Sequence, residues 1–326
     1  VLGMSVLAHS AALPVLIFLF FWLWFGGCVV REKRFAATGV LYAGVLIVLF
    51  FPFVRNYIVA KDIVPFTSHA GINFYIGAHE QSQGKFSLPF GQGAGPREVF
   101  RYSQEMADKQ TGKKLKPSEV SSYWFKKGLS FITFHPFKYG QLLFKKVFLF
   151  FRAFEIPDVE DYYISKSFSW VLDLLPLFHF GIIAPFALLG MLVCLLRREK
   201  VVLLWIYFLT FFLSCVIYFV NSRYRFAAVS YMILFASFAF YWFYRKLRER
   251  QFGKFLCGGS LLVFLFTLIN IPYREDFSIS YYNLGTAYLK LNDVNVAEIM
   301  FKKSIFLNPS FAKAHFNLGT AYFQKG

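Results

Sequence analysis

Apolar residues in this chain come in stretches of about 20, the length a helix needs to cross a hydrocarbon core. The charges gather between those stretches. Six spans are read at 11–30, 35–54, 176–196, 201–220, 226–244 and 254–273. The short connections between them carry Arg31-Glu32-Lys33-Arg34, Arg197-Arg198-Glu199-Lys200 and the basic run from Arg245 to Arg250. Lys and Arg in short loops mark the cytoplasmic side, and all three clusters agree on one topology. Residues 55–175, the tight connection at 221–225 and everything from about residue 278 then face outward. The expected fold is an all-α polytopic membrane protein with a large mixed outer loop and a C-terminal α-solenoid segment. Its divisions are membrane helices at 1–54, an extracytoplasmic loop with an interfacial helix at 55–175, four more membrane helices at 176–275, and repeats at 276–326.

Composition supports that pattern: 57% of residues are hydrophobic, 21% aromatic and only 16% charged. The net charge of +17 belongs to membrane topology and surface rather than to nucleic acid, because no nucleic-acid motif accompanies it. Cys28, Cys194, Cys215 and Cys257 all fall within expected spans and the outer loop has no cysteine, so no structural disulfide is expected. The chain opens inside an apolar run at Val1-Leu2-Gly3-Met4 and stops inside a repeat at Phe323-Gln324-Lys325-Gly326. It is therefore expected to be part of a longer protein, in the inner or plasma membrane.

The C-terminal repeat is visible directly. Tyr282-Asn283-Leu284-Gly285-Thr286-Ala287-Tyr288 recurs as Phe316-Asn317-Leu318-Gly319-Thr320-Ala321-Tyr322, an offset of 34 residues. Ala297, Phe301 and Pro309 stand between them. This pattern resembles tetratricopeptide repeats. The resemblance implies paired helices that approach at Gly285 and Ala297, further repeats stacked beyond, and a protein partner bound through them.

The outer loop holds the candidate chemistry. Arg55-Asn56-Tyr57 follows a span, and then comes Gly71-Ile72-Asn73-Phe74-Tyr75-Ile76-Gly77, with His69 and His79 on either side. The glycines permit tight turns, and the polar groups among apolar ones suit a pocket at a membrane surface. Arg-Asn-Tyr after a helix, a Pro, and this Gly-Ile-Asn-Phe-Tyr-Ile-Gly run resemble membrane glycosyltransferases of the GT-C class, the bacterial relatives of protein O-mannosyltransferases and of the lipid A aminoarabinose transferase. Phe131-Ile132-Thr133-Phe134-His135-Pro136, the span near Gly181–Gly190, and Asn221-Ser222-Arg223-Tyr224-Arg225-Phe226 in an outer turn extend the likeness over most of 1–275. His9-Ser10 departs from it, and His9 is given no role.

The resemblance implies transfer of a hexosyl or pentosyl group from a polyprenyl-phosphate-linked donor to a lipid, glycan or protein acceptor outside the cytoplasm. Such a reaction needs cations on the carrier phosphate, because negative charge develops on the leaving group. Arg55, Arg223 and Arg225 are the candidates, with His69, Asn73, Tyr75 and Tyr224 lining the substrate pocket. The catalytic carboxylate of the family lies in an earlier outer loop, so none is assigned. Asp62 and Glu80 are read as solvated loop charges. Lys126, Lys127, Lys138, Lys145, Lys146 and Arg152 are read as snorkelling cations of an interfacial helix, His135 as a helix start, and His179 as a packing residue or a functional one. Residues 84–116 are read as a flexible excursion. No metal-ligand spacing or cofactor motif is identifiable, and a divalent metal stays open. Two other readings stand beside the transferase: an O-antigen polymerase or ligase, and a non-catalytic membrane anchor for the repeats.

Overall fold

The computed structural model describes all residues except 1, 9, 27–28, 65–66, 88–95, 159–160, 167, 175–178 and 274–275. Every regular element among the described residues is a helix. In chain order they are α1 (Leu2–Ala8), α2 (Leu13–Phe25), α3 (Arg34–Ala60), α4 (Ala70–Gly77), α5 (Pro96–Thr111), α6 (Pro117–Phe134), α7 (Pro136–Phe151), α8 (Tyr162–Lys166), α9 (Phe180–Arg197), α10 (Val202–Ile217), α11 (Ser222–Arg248), α12 (Phe252–Ile269), α13 (Ser278–Lys290), α14 (Val294–Leu307) and α15 (Ala312–Lys325).

Among the described residues four helices are long and apolar enough to cross a membrane: Arg31–Ala60, Phe180–Arg197, Ser222–Arg248 and Phe252–Ile269. The other two of the six expected spans coincide with shorter apolar helices, Leu13–Phe25 and Val202–Ile217. The stretch at 11–30 contains a 3-10 turn and then the 13-residue α2, and the stretch at 201–220 contains the 16-residue α10. At 1.5 Å per residue these reach only about 20 and 24 Å, against about 30 Å of hydrocarbon.

The mixed outer loop is corrected too. Residues 55–175 are built from the end of α3, then α4 to α8 and a 3-10 turn, with no strand among the described residues. Pro117 and Pro136 each sit in the first turn of a helix, where a missing N–H costs nothing. Glu119 accepts from the Lys116 N–H at 2.7 Å and closes the start of α6. Half of the expected flexible excursion is the helix α5. One isolated parallel bridge, Lys85 with Val220, ties the loop to the end of α10.

The spans pack most tightly where α9 meets α11. A Cβ on Gly190 would stand 1.8 Å from the Phe235 carbonyl oxygen, so the two backbones touch there and only glycine fits. His179 starts α9 as its N-cap, its Nδ1 accepting from Gly181 N at 3.0 Å, which gives the span's lone histidine a structural task. Phe150 of α7, Phe180, Phe208, Met232 and Phe235 fill one core between α7, α9, α10 and α11. A second core joins Ile72 and Ile76 of α4 to Val120 and Trp124 of α6 and to Phe219.

Between α7 and α8 an irregular strap crosses the ends of the spans. Ala153 N donates to Ile269 O and Ser222 N to Ile156 O, both at 3.0 Å. Asp161, buried, holds the far end. Its Oδ1 accepts from Tyr163 N at 2.8 Å, and its Oδ2 accepts from the Ser280 hydroxyl of α13 at 2.8 Å. The Tyr163 hydroxyl accepts in turn from Glu155 N at 3.1 Å. These bonds put the α13–α14 hairpin on the same side of the spans as the strap. Within the hairpin the Phe301 ring lies against Gly285, where a Cβ would stand 2.7 Å away, and packs with Tyr282.

Candidate functional site

Arg223 and Arg225 both lie in the first turn of α11, yet they do opposite things. Each helical residue turns about 100°, so side chains two apart point about 200° apart. Arg225 turns inward and is 2% exposed. Its Nη1 donates to the Arg152 carbonyl at 2.6 Å and to the Phe150 carbonyl at 3.2 Å. Its Nη2 donates to Phe154 O at 3.4 Å and to Glu155 Oε2 at 2.6 Å. The Phe180 ring closes over the guanidinium at 3.7 Å. The planar fork of an arginine can serve that many acceptors at once, and the result is a pin that fixes the strap to α11. The expectation that Arg225 holds a donor phosphate is corrected: its donors are taken up by protein, and its head does not reach water.

Arg223 turns outward and its side chain is 67% exposed. Its Nη1 donates to Asp158 Oδ2 at 2.9 Å. Beside it opens a cleft of about 290 Å³. Glu155, Ile156, Pro157, Asp158, Tyr162, Ser222 and Arg223 line it. Each carboxylate commits one oxygen to a guanidinium. Among the described residues no hydrogen-bond partner takes Glu155 Oε1 or Asp158 Oδ1. The Ser222 hydroxyl is buried and has no partner among the described residues. The sequence reading missed this cleft, although two acids and a proline within Glu155-Ile156-Pro157-Asp158 are its visible trace.

Arg55 lies inside α3 rather than at its end. It is exposed, bonds Asn56 Oδ1 at 3.2 Å, and does not line the cleft. Of the three candidate phosphate ligands only Arg223 reaches the cleft. The Gly-Ile-Asn-Phe-Tyr-Ile-Gly run forms the helix α4, and its glycines serve close approach rather than turns. A Cβ on Gly71 would stand 1.8 Å from Ser121 O, and one on Gly77 1.5 Å from Tyr218 O.

Tyr75 stacks by Trp124 at 4.9 Å and His79 at 5.3 Å. Tyr224, with Phe219 at 5.6 Å, borders the same core, so the structure brings these two pocket candidates into one apolar cluster. Asn73 is half-buried on α4, and His69 packs on Phe100 at 5.0 Å. Burial holds the imidazoles of His69 and His79 below their usual range, the latter helped by the Lys146 charge.

Lys146 was expected to snorkel; it is fully buried instead. Its Nζ donates to Gly77 O at 2.7 Å, Tyr218 O at 2.8 Å and Ile217 O at 3.2 Å, and thus locks α7, α4 and the end of α10 together. Burial pushes the ammonium down to about 7. The three carbonyls oppose that pull, since only the charged form has three protons to give. Asp62, expected to be solvated, is buried. It accepts from Ser118 N and Oγ, both at 2.7 Å, and from Ile63 N at 2.8 Å. Burial raises its carboxyl, and these bonds outweigh burial and hold it below its ordinary value. Glu80 is exposed and paired with Lys138 at 2.7 Å. No group of three or more His, Cys, Asp or Glu side chains able to hold a metal occurs among the described residues.

A family model of the tetratricopeptide repeat matches residues 279–311. The C-terminal hairpin is such a repeat. No curated protein and no solved structure matches the chain.

Proposed function

We propose that this chain is part of a membrane glycosyltransferase that moves a sugar from a polyprenyl-phosphate-linked donor to an extracytoplasmic acceptor. The observation that carries the reading is the Arg223 cleft at the first turn of a span. A mostly exposed guanidinium stands there beside two carboxylates and an aromatic residue. The exposed edge of Arg223 is available to a phosphate, which guanidinium groups grip by charge-assisted hydrogen bonds. In this reading Arg55 is at most a second, separate headgroup contact. The three basic short loops support an orientation with the strap, the cleft and the repeat outside the cytoplasm, in which the shorter helices α2 and α10 also cross.

The test is transfer of labelled sugar from a polyprenyl-phosphate donor to endogenous acceptor in membranes containing the intact protein of which this chain is part. Arg223→Ala should lose about tenfold at subsaturating donor, and Arg223→Lys should recover part of that. Wild-type transfer by Arg223→Ala at equal expression rules out this phosphate contact. Orientation is tested separately with Lys113→Cys and Gln324→Cys in a chain freed of its other cysteines. An impermeant thiol reagent should label both in intact cells, and labelling only after lysis removes the extracytoplasmic assignment.

A second reading, a non-catalytic anchor that presents repeats to a protein partner, is favoured by the tetratricopeptide match at 279–311. It expects no sugar transfer from any lipid-linked donor.

A further inference from the structure

We propose that the Glu155–Asp158–Tyr162–Ser222 cleft is a sugar subsite that takes one uncharged, polyhydroxylated ring, with any phosphate of that ligand lying at the rim on Arg223. The proposal rests on the transferase reading only for the source of the ring. The cleft's own chemistry argues for its occupant.

Its volume of about 290 Å³ is at the small end of ligand sites, which run from about 300 to 1,000 Å³. That is room for a single ring rather than a chain of them. The polar groups suit hydroxyls. Glu155 Oε1 and Asp158 Oδ1 are acceptors left over from the two ion pairs. The hydroxyls of a ring can donate to both.

Charge sorts the alternatives further. Glu155 is balanced by Arg225 and Asp158 by Arg223, at 2.6 and 2.9 Å, so the cleft carries no net charge. A phosphate inside it would face both carboxylates while Arg225 lies buried behind the strap, so an anion belongs at the rim. Tyr162, 39% exposed, lines the cleft and supplies it with an aromatic group. Asp158 is held in place by Arg223, and Glu155 is held by Arg225 and by the Tyr163 hydroxyl that accepts from its N–H. The acceptors are therefore fixed before a ligand arrives, which reduces the ordering cost of binding.

The experiment uses the full chain in detergent micelles and saturation-transfer NMR with methyl glycosides of neutral hexoses. Wild type should give signal from at least one of them. Asp158→Asn and Tyr162→Ala should each weaken binding about tenfold, while Tyr162→Phe, which keeps the ring, should bind within about twofold of wild type. Thermal melting of each variant shows that it is folded. Undiminished binding by folded Asp158→Asn and Tyr162→Ala, or no binding of any glycoside by wild type, overturns the proposal.

Competition by a short-chain prenyl-phosphate mannose assigns the ring to the donor. Glycoside binding untouched by it assigns the ring to the acceptor, and either result keeps the sugar subsite. Glycoside binding by the chain without transfer from a lipid-linked donor by the intact protein leaves this site standing and removes the transferase reading. Transfer without glycoside binding does the reverse.

Discussion

Two buried cations of this protein, Arg225 and Lys146, join the same outer layer to the spans by different means. Arg225 sits in a pocket of three carbonyls, a carboxylate and a phenyl face, and its countercharge reaches the cleft. Lys146 sits among three carbonyls with no carboxylate bonded to it. A buried charge with a partner is costly to disturb from either side, because removing one member strands the other. A buried charge held by backbone dipoles alone strands only neutral groups when it is removed. Arg225 thus sets the geometry of a charged site, whereas Lys146 sets the seating of helices.

The largest effect should come from Arg225→Ala. It strands Glu155 and leaves three carbonyls without a donor, at a cost of about 3 kcal/mol, the low end for a broken buried pair. The low end applies because Glu155 is 26% exposed and water can reach it. Thermal melting in detergent should show the loss, and Arg225→Lys should recover little of it, since an ammonium lacks the fork. This replaces the expectation that Arg225 could be removed without harm to folding. Melting unchanged from wild type would mean that the pin carries no stability.

Lys146→Met should cost less, about 1 kcal/mol, because losing three donor bonds is partly offset by no longer burying an ammonium. A loss equal to that of Arg225→Ala would erase the contrast between the two cations. Its pH signature is separate. The folded-state value, pushed down to about 7, is below the unfolded value of 10.5. Between those values the unfolded chain binds the extra proton, so this lysine's contribution to stability should rise with pH across that window. The slope should vanish in Lys146→Met.

Asp62 gives the opposite slope with an anion. Its folded value lies below the ordinary 3.8, so its contribution is complete above that pH and is lost as pH falls through the folded value. Asp62→Asn should lower stability at neutral pH by about 1 kcal/mol, as for a lost helix cap. Acid melting that is identical in wild type and Asp62→Asn contradicts this. The smallest effect on stability should be that of Arg223→Ala. An exposed pair is worth less than about 1 kcal/mol, so melting should barely move while donor use falls. A large drop in melting with it would make Arg223 a second pin rather than a ligand residue.

Much of the fold was legible in the sequence where the signal was length or period. Apolar length found α3, α9, α11 and α12, and the 34-residue offset with Gly285 and Phe301 found the repeat. Apolar content does not say where a helix ends, so residues 11–30 were read as one span although α2 covers only Leu13–Phe25. The Gly-Ile-Asn-Phe-Tyr-Ile-Gly run was read as a turning loop because glycine serves both turns and close packing. Only the contacts of Gly71 and Gly77 with Ser121 O and Tyr218 O separate the two. The candidate site was half legible. Position along the chain put Arg223 and Arg225 together, but helical phase put one at the rim and the other in the core. Nothing local to Lys146 marks it as buried, since its three acceptors come from residues about 70 positions away.

The bond between Asp161 and Ser280 has a mechanical consequence. Asp161 lies six positions after Glu155, a tether of at most about 20 Å even when drawn straight. It is shortened further by the bond from Glu155 N to the Tyr163 hydroxyl. A load on α13 therefore has little slack to take up before it reaches the acidic wall of the cleft. Whatever binds the repeat pulls on a short leash, and the other end of that leash is Glu155.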